Sequence, residues 1–314
     1  MDITNLAPIC LFTYNRLAET KQTLETLQRN FLAPQSDLYV FSDGWKNEKA
    51  KEEVLSVRAF LKTITGFKNI YIIESKTNRG LANSIISGVN LIFKNYETVI
   101  VLEDDLITSP NFLNYMNQAL YHYRSTDKIQ SISGYSVAIN SEGSNYIFNR
   151  TFPWGWATWK HYWHENIFDP NSIKKIITAN PTFLKGFRKK CGDDVSKMLL
   201  DSLSERNNSW YIKWVFNHYL NKNFALFPRI SKVTNIGYNG TGTHCNAINT
   251  YQDNFIVDTN IDFAFLPFDS LVIETDVLEY FSVSHKIKHR IKLLLTGEGR
   301  RALFEEIREK INGK

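Results

Sequence analysis

The chain has 314 residues, 43% of them apolar and 22% charged, the balance of a soluble globular protein with enough apolar material for a large core in one domain or two. Its formal charge of +5 sits at one end: from Ser284 onward nine Lys/Arg face four acids, while the body before it carries 28 residues of each sign. A neutral body gives nucleic-acid binding no support.

In chain order, Ala7 to Tyr14 is a short apolar run ending in Asn15 and Arg16. Leu17, Thr20, Leu24 and Leu27 are then spaced for the buried face of a helix from about Leu17 to Arg29. Leu38 to Phe41 is a second run, ending in Ser42-Asp43-Gly44 ahead of a charged helix from about Asn47 to Lys62. Ile70 to Ile73 ends in Glu74, passes through Thr77-Asn78-Arg79-Gly80 and enters a helix from about Leu81 to Asn95. The fourth run, Thr98 to Leu102, gives way abruptly to Glu103, Asp104 and Asp105, the pattern of a buried parallel strand whose carboxyl end opens into a site. Strands alternating with helices in this way predict an α/β fold with a mostly parallel central sheet and right-handed crossovers. Ligands of such sheets bind beyond the carboxyl ends of the strands, and each of these strands ends in polar residues.

Three adjacent carboxylates repel one another unless a cation or donors compensate them. Mg²⁺ or Mn²⁺ is the simplest compensation, since a hard ion takes substrate phosphates as well and needs only one or two acids from the protein. The plainer alternative is a solvated acidic turn. No G-x-G-x-x-G follows the first strand and no G-x-x-x-x-G-K-[ST] occurs, so neither a dinucleotide fingerprint nor a P-loop is present. Asp43 and the later acids can instead hold a nucleotide's base and ribose on the early strands and its diphosphate on a metal, with Arg16 and Arg79 as bidentate donors.

The order P-I-C-L-F-T-Y-N-R, F-S-D-G, T-N-R-G-L-A and V-L-E-D-D-L resembles GT-A glycosyltransferases, and the E-D-D-L is similar to the acidic motif of the N-acetylglucosaminyltransferases that start complex N-glycan branching. The resemblance continues through Phe152–Trp159, Asn208–Trp214 and Asn235–His244, covering roughly residues 7 to 245. It implies a Rossmann-like GT-A domain over 1–275, with a nucleotide-sugar half to about 110 and an acceptor half from 111, and a basic amphipathic helical extension over 276–314. It also implies a metal-dependent transfer of sugar from a nucleotide donor, a UDP-sugar first, to a glycan or lipid-linked glycan acceptor in bacterial surface polysaccharide synthesis. By the same resemblance Thr13, Asn15 and Arg16 would line the nucleotide, and Asp43 would receive the uracil or ribose. Asn78 and Arg79 would close over base and diphosphate, and Asp104 would face the ribose or sugar. Asp105 would ligate Mn²⁺ or Mg²⁺, and Glu103 would orient donor or acceptor. A catalytically silent carbohydrate-binding relative and a sugar-1-phosphate nucleotidyltransferase are the competing readings; the latter should carry a Gly-rich, Arg-containing loop where Thr13-Tyr14-Asn15-Arg16 stands.

The second half is rich in aromatics. Trp156, Trp159 and Trp163 fall at helical spacing and are expected to pack on the sheet, whereas Trp154-Gly155-Trp156 suggests a sugar-binding wall, because glycine admits close backbone approach. His161, His164 and Glu165 have no further ligand nearby and read as surface or packing residues. An inverting transfer needs a carboxylate base, which the animal enzymes keep in a W-D-D-W-like segment; here that segment is Trp210-Tyr211-Ile212-Lys213-Trp214, without an acid. Asp201 and Glu205, or Asp193 and Asp194 further upstream, are the candidates, and Lys213 is a candidate diphosphate contact. If none serves, the leaving phosphate takes the proton in a retaining mechanism. Gly237, Gly240 and Gly242 describe a mobile loop leading to His244, a further candidate for the metal or the phosphates.

Cys10, Cys191 and Cys245 form neither a disulfide framework nor a zinc knuckle, which favours a reducing compartment. No stretch approaches the roughly 18 apolar residues that span a bilayer, so a cytoplasmic protein is expected. The tail from His285 alternates cations with Ile287, Ile291 and Leu293 to Leu295, a basic amphipathic helix suited either to the face of an anionic membrane or to packing on its own domain.

Overall fold

The computed structural model describes residues 5–139, 143–237 and 253–311. β1 (Ile9–Thr13), α1 (Leu17–Gln28), β2 (Asp37–Ser42), α2 (Glu48–Leu61), β3 (Asn69–Glu74), α3 (Leu81–Ile92) and β4 (Thr98–Glu103) follow in the alternation that the hydrophobic runs predict. β5 (Leu106–Thr108), α4 (Phe112–His122), β6 (Ile129–Ser133), β7 (Asn145–Phe148) and β8 (Trp156–Trp159) come next. A helical layer of α5 (Pro170–Ala179), α6 (Phe183–Cys191), α7 (Val195–Leu203) and α8 (Trp210–Leu220) precedes β9 (Phe224–Pro228) and β10 (Val233–Asn235). Further on lie α9 (Val277–Tyr280), α10 (Val283–Leu294) and α11 (Gly297–Ile311). Among the described residues no helix is long and apolar enough to cross a membrane.

One sheet runs β3-β2-β1-β4-β8-β6-β9-β7, and β5 pairs with β10 beside it. β3, β2, β1 and β4 are parallel; β8 is antiparallel to both β4 and β6, β9 is parallel to β6, and β7 opposes β9. The sheet is therefore mostly parallel and flanked by helices, an α/β fold as the sequence predicts. Alternation along each strand divides the core into two layers. Ile9 and Leu11 of β1 and Ile100 and Leu102 of β4 join α1 and α4 on one side. Cys10 and Phe12, with Val99 and Val101, join α3 and α8 on the other. Burying Ile85, Val89 and Ile92 of α3 contributes about 1.5–3 kcal/mol each. Gly88 lets this helix lie close, because a Cβ there would strike the Phe12 ring.

The tryptophans depart from expectation. Trp156 and Trp159 lie on a strand, where an odd spacing sends side chains to opposite faces. Trp159 joins the α4 layer, and Trp156 stacks on Trp163 and Trp210 at 5.5 and 5.2 Å in the other. The helical reading failed because the intervals of three and four fit a helix locally, whereas the strand is imposed by pairing with β4 and β6, which are distant in sequence. A third cluster of Ile173, Phe187, Leu199, Ile212 and Phe216 holds the α5–α8 layer together.

His218 of α8 is fully buried. The Trp214 carbonyl, 2.9 Å from Nδ1, can only accept, so Nδ1 carries the proton and Nε2 accepts from the Ser131 hydroxyl at 2.8 Å. Burial lowers this imidazole's pKa to about 4, whereas an unfolded histidine titrates near about 6.5. A depressed folded value makes the contribution complete above the unfolded pKa and progressively lost below it, on the order of 3 kcal/mol in all. Urea midpoints should accordingly fall as pH drops from about 6.5 toward 4, and His218→Gln, less stable at neutral pH, should show a flatter fall over that range.

Candidate active site

The carboxyl ends of β1, β2 and β4 and the start of α3 surround a cleft of about 480 Å³. Thr13 ends β1 in it and Tyr14, Asn15 and Arg16 follow, Asp43 and Lys46 follow β2, Asn78 and Gly80 precede α3, and Glu103, Asp104 and Asp105 form the wall at the end of β4. A smaller recess of about 60 Å³ shares Asp43 and Ser84 with the cleft and is lined by Arg79, whose guanidinium lies 3.4 Å from Ser87 Oγ. The sequence-predicted strand ends thus converge, because parallel pairing of β1 with β2 and β4 brings their ends to one edge.

Asp43 is a fastener. Its carboxylate accepts from the backbone N–H groups of Gly44, Arg79 and Gly80 at 2.9–3.1 Å, while Asn78 Nδ2 donates to the Gly44 carbonyl at 2.8 Å. These bonds hold the Thr77–Gly80 turn against β2 and satisfy amides at the exposed start of α3, where Gly80 stands before the first turn without a side-chain cap. Asn15 is occupied with Glu53 at 2.6 Å on the cleft's outer rim.

Arg16 joins the two aspartates. One of its nitrogens, Nη2, lies 2.5 Å from Asp104 Oδ1 and 3.0 Å from Asp105 Oδ2, and the Tyr14 N–H donates to Asp104 Oδ2 at 3.2 Å. Burial opposes the guanidinium's charge, but the two carboxylates hold its proton more firmly than usual. One guanidinium does not balance three acids in a dry wall. Burial, with Asp105 and Asp104 as neighbours, pushes Glu103 up to about 8. Burial also raises Asp104, to about 6 against the pull of Arg16, and raises Asp105. Two polar atoms, Thr13 Oγ1 and Arg16 Nη1, are buried with no hydrogen-bond partner among the described residues. A hydroxyl and a guanidinium nitrogen beside an under-neutralised acid wall suit an anionic ligand brought in with a cation.

Sequence reasoning gave no site role to Asn235, yet β10, paired with β5, carries it to Asp105, where its Nδ2 lies 3.5 Å from Oδ1. The Gly237 N–H donates to Asn235 Oδ1 at 2.7 Å, and a Cβ on Gly237 would collide with the Asp105 carboxylate. Asn208, just ahead of α8, also reaches the cleft. Both asparagines lie in stretches recognisable in the sequence, but only the fold shows which side chain faces inward.

Other predicted site residues stand elsewhere. Asp201 on α7 is paired with Lys197 and, at 2.9 Å, with Arg206; Glu205 is exposed beyond the helix at φ +60°; neither lines the cleft. Asp194 is bound to Arg150 at 2.7 Å and Asp193 to Arg188 at 2.9 Å. Lys213 is buried and donates to the Phe168 carbonyl at 3.3 Å, so it is no cleft contact. Trp154 and Trp156 are 9% and 1% exposed, and Gly155, at φ +61°, accepts from the Gly134 N–H at 2.7 Å; the expected sugar wall is core. The apolar faces of α8 draw Lys213 and Trp156 inward, whereas Trp154 packs on Tyr135 and Phe152 in the opposite layer. His244, Gly240 and Gly242 lie outside the described residues. Among the described residues no three metal-capable side chains converge, although the Asp104–Asp105 pair is sufficient for an ion that also takes phosphate oxygens.

No family model and no curated protein matches the sequence. Among solved structures, the chain is similar to the mannosyltransferase PcManGT from Pyrobaculum calidifontis in complex with GDP-Man and Mn²⁺, at 11% identity and TM-score 0.36 over 51% of this chain and 47% of that one. It is similar to S. aureus TarS at 14% identity and TM-score 0.32 over 44% and 23% of the two chains. A UDP-glucose pyrophosphorylase complexed with UDP-glucose gives 13% identity and TM-score 0.37 over 72% and 91%. The chain thus spans about half of the first protein's length and about a quarter of the second's. Similarities at this level provide no residue correspondence.

Replacing Asp43 by Ala should leave three N–H groups without their acceptor and cost about 2–4 kcal/mol. Urea unfolding measures this, and Asp43→Asn, which keeps one accepting oxygen, is expected to fall between that variant and the parent.

Proposed function

We propose that the protein is a metal-dependent glycosyltransferase of the GT-A kind, related to the N-acetylglucosaminyltransferases of glycan branching, which moves a sugar from a nucleoside-diphosphate donor, foremost a UDP-sugar, to a glycan or lipid-linked glycan of a bacterial surface polysaccharide. The observation that carries this reading is the Arg16 bridge to Asp104 and Asp105, set in an acid wall at the carboxyl edge of a parallel sheet, with Thr13 Oγ1 and Arg16 Nη1 of the same cleft unpartnered among the described residues. In this reading residues 1–275 form the transferase, divided near 110 into donor and acceptor halves, and 276–314 are appended to it.

Asp105, with Asp104 beside it, would hold Mn²⁺ or Mg²⁺. When bound, the ion supplies Lewis-acid neutralisation of the departing diphosphate. Arg16 offers Nη1 to the phosphates, Thr13 offers its hydroxyl to ribose or phosphate, and Asp43 keeps the turn carrying Asn78 and Arg79 in place over the base. Asp43 is engaged by backbone amides and the aspartate pair by Arg16, so Glu103 is the cleft carboxylate left to orient or deprotonate an acceptor in an inverting transfer. A retaining transfer would pass that proton to the leaving phosphate. A sugar-1-phosphate nucleotidyltransferase is disfavoured by Thr13-Tyr14-Asn15-Arg16, which stands where a Gly-rich loop would be required. A silent sugar-binding relative would leave the buried aspartate pair without a use.

Calorimetric titration with UDP, GDP, CDP and dTDP, each with Mn²⁺ and with a chelator, tests the reading. One diphosphate should bind only with metal, and Asp105→Ala should weaken it at least about tenfold while leaving the melting temperature within a few degrees. Binding of none of the four, or metal-dependent binding unchanged by Asp105→Ala, would overturn it.

A further inference from the structure

Helix α10 has the opposite character to the rest of the chain. Its root is firmly held: Val277 and Phe281 are buried, the Arg150 guanidinium lies 3.6 Å from the Phe281 ring centroid, and the Val283 N–H donates to Asp193 Oδ2 at 3.2 Å. Ser282 caps the helix by accepting from the His285 N–H at 3.0 Å. Beyond this anchor no residue of α10 is buried. Val283, Ile287, Ile291 and Leu294, spaced four, four and three apart, form one stripe that is 53–57% exposed, and Leu295 just past the helix is 77% exposed. Lys286, Lys288, Arg290 and Lys292 accompany the stripe; Lys286 lies 3.9 Å from Asp194 and Lys288 3.5 Å from Glu279, and α10 itself contains no acid. A body of zero formal charge therefore carries its net positive charge beside its most exposed aliphatic row.

We infer that α10 is a membrane-docking helix that lies on an anionic lipid surface, its aliphatic stripe in the headgroup–acyl boundary and its cations among the lipid phosphates. Charge decides the occupant. A second copy docked about a two-fold axis would set four cations against four cations across the stripe, and a nucleic acid would leave the aliphatic row in water. An anionic bilayer satisfies both features. Anchoring through α9 keeps the helix oriented on the folded body, so docking would set the body's attitude at the lipid surface. This inference goes beyond the sugar-transfer reading and does not depend on it.

Flotation of the full chain with vesicles tests it. The protein should float with phosphatidylcholine–phosphatidylglycerol vesicles, fail to float with phosphatidylcholine alone, and be released by high salt. The double change Ile287→Asp and Ile291→Asp should cut the bound fraction at least about tenfold, with the same thermal melt and the same diphosphate binding as the parent. Lys288→Gln with Lys292→Gln, whose side chains are exposed, should shift the salt at which release occurs to lower values with an unchanged thermal melt. Absence of flotation, equal flotation with neutral vesicles, or a self-association in sedimentation that the Asp variant abolishes would each overturn the inference. Failure of diphosphate binding alongside intact flotation would count against the active-site reading alone.

Discussion

Arg16 between Asp104 and Asp105 is the interaction on which the site depends. A strand that must be apolar to sit in the middle of a sheet ends in three acids, and the fold cannot leave them uncompensated in a dry wall. One guanidinium, delivered from the end of the neighbouring parallel strand, partly does so. The partial balance is informative: the acids keep raised proton affinities, and a guanidinium nitrogen and a threonine hydroxyl lining the same cleft are unpaired among the described residues. Structural ion pairs elsewhere in the molecule are closed by comparison, as Arg150 is with Asp194, Tyr211 and the Cys191 carbonyl.

The rest of the early sheet serves to present this edge. Register places Phe12 beside Glu103 and Thr13 beside Ser42, so residues after three strands arrive at one height. Asp43 spends its charge on backbone amides, which makes the α3 entry a fixed wall of the cleft. A carboxylate predicted to touch ligand thus acts first on the chain that surrounds the ligand.

The later chain closes the cleft from a distance. The β5–β10 pair returns Asn235 and Gly237 to Asp105, more than a hundred residues away in sequence, and the absent side chain of Gly237 leaves the carboxylate its room. Four of the tryptophans, by contrast, have become the packing between the sheet and α8, and Trp154 and Trp159 belong to the core on the opposite side. Large aromatic surfaces fill a broad layer efficiently, and the same surfaces had suggested a sugar wall when only their order was known.

What the sequence determined by itself was the alternation of strand and helix up to β4 and the concentration of polar groups at the strand ends, because apolar periodicity and the abrupt change from Leu102 to Glu103 are local signals. It also marked the cationic, aliphatic character of the tail. Tertiary structure decided what depends on distant pairing. The insertion of antiparallel β8 between β4 and β6 sent Trp156 and Trp159 to opposite layers. The packing of α7 and α8 kept Asp201, Glu205 and Lys213 off the cleft. The return of β10 chose Asn235. A short segment specifies its own period, but which side chain faces a ligand is set by the register and burial of partners it meets only after folding.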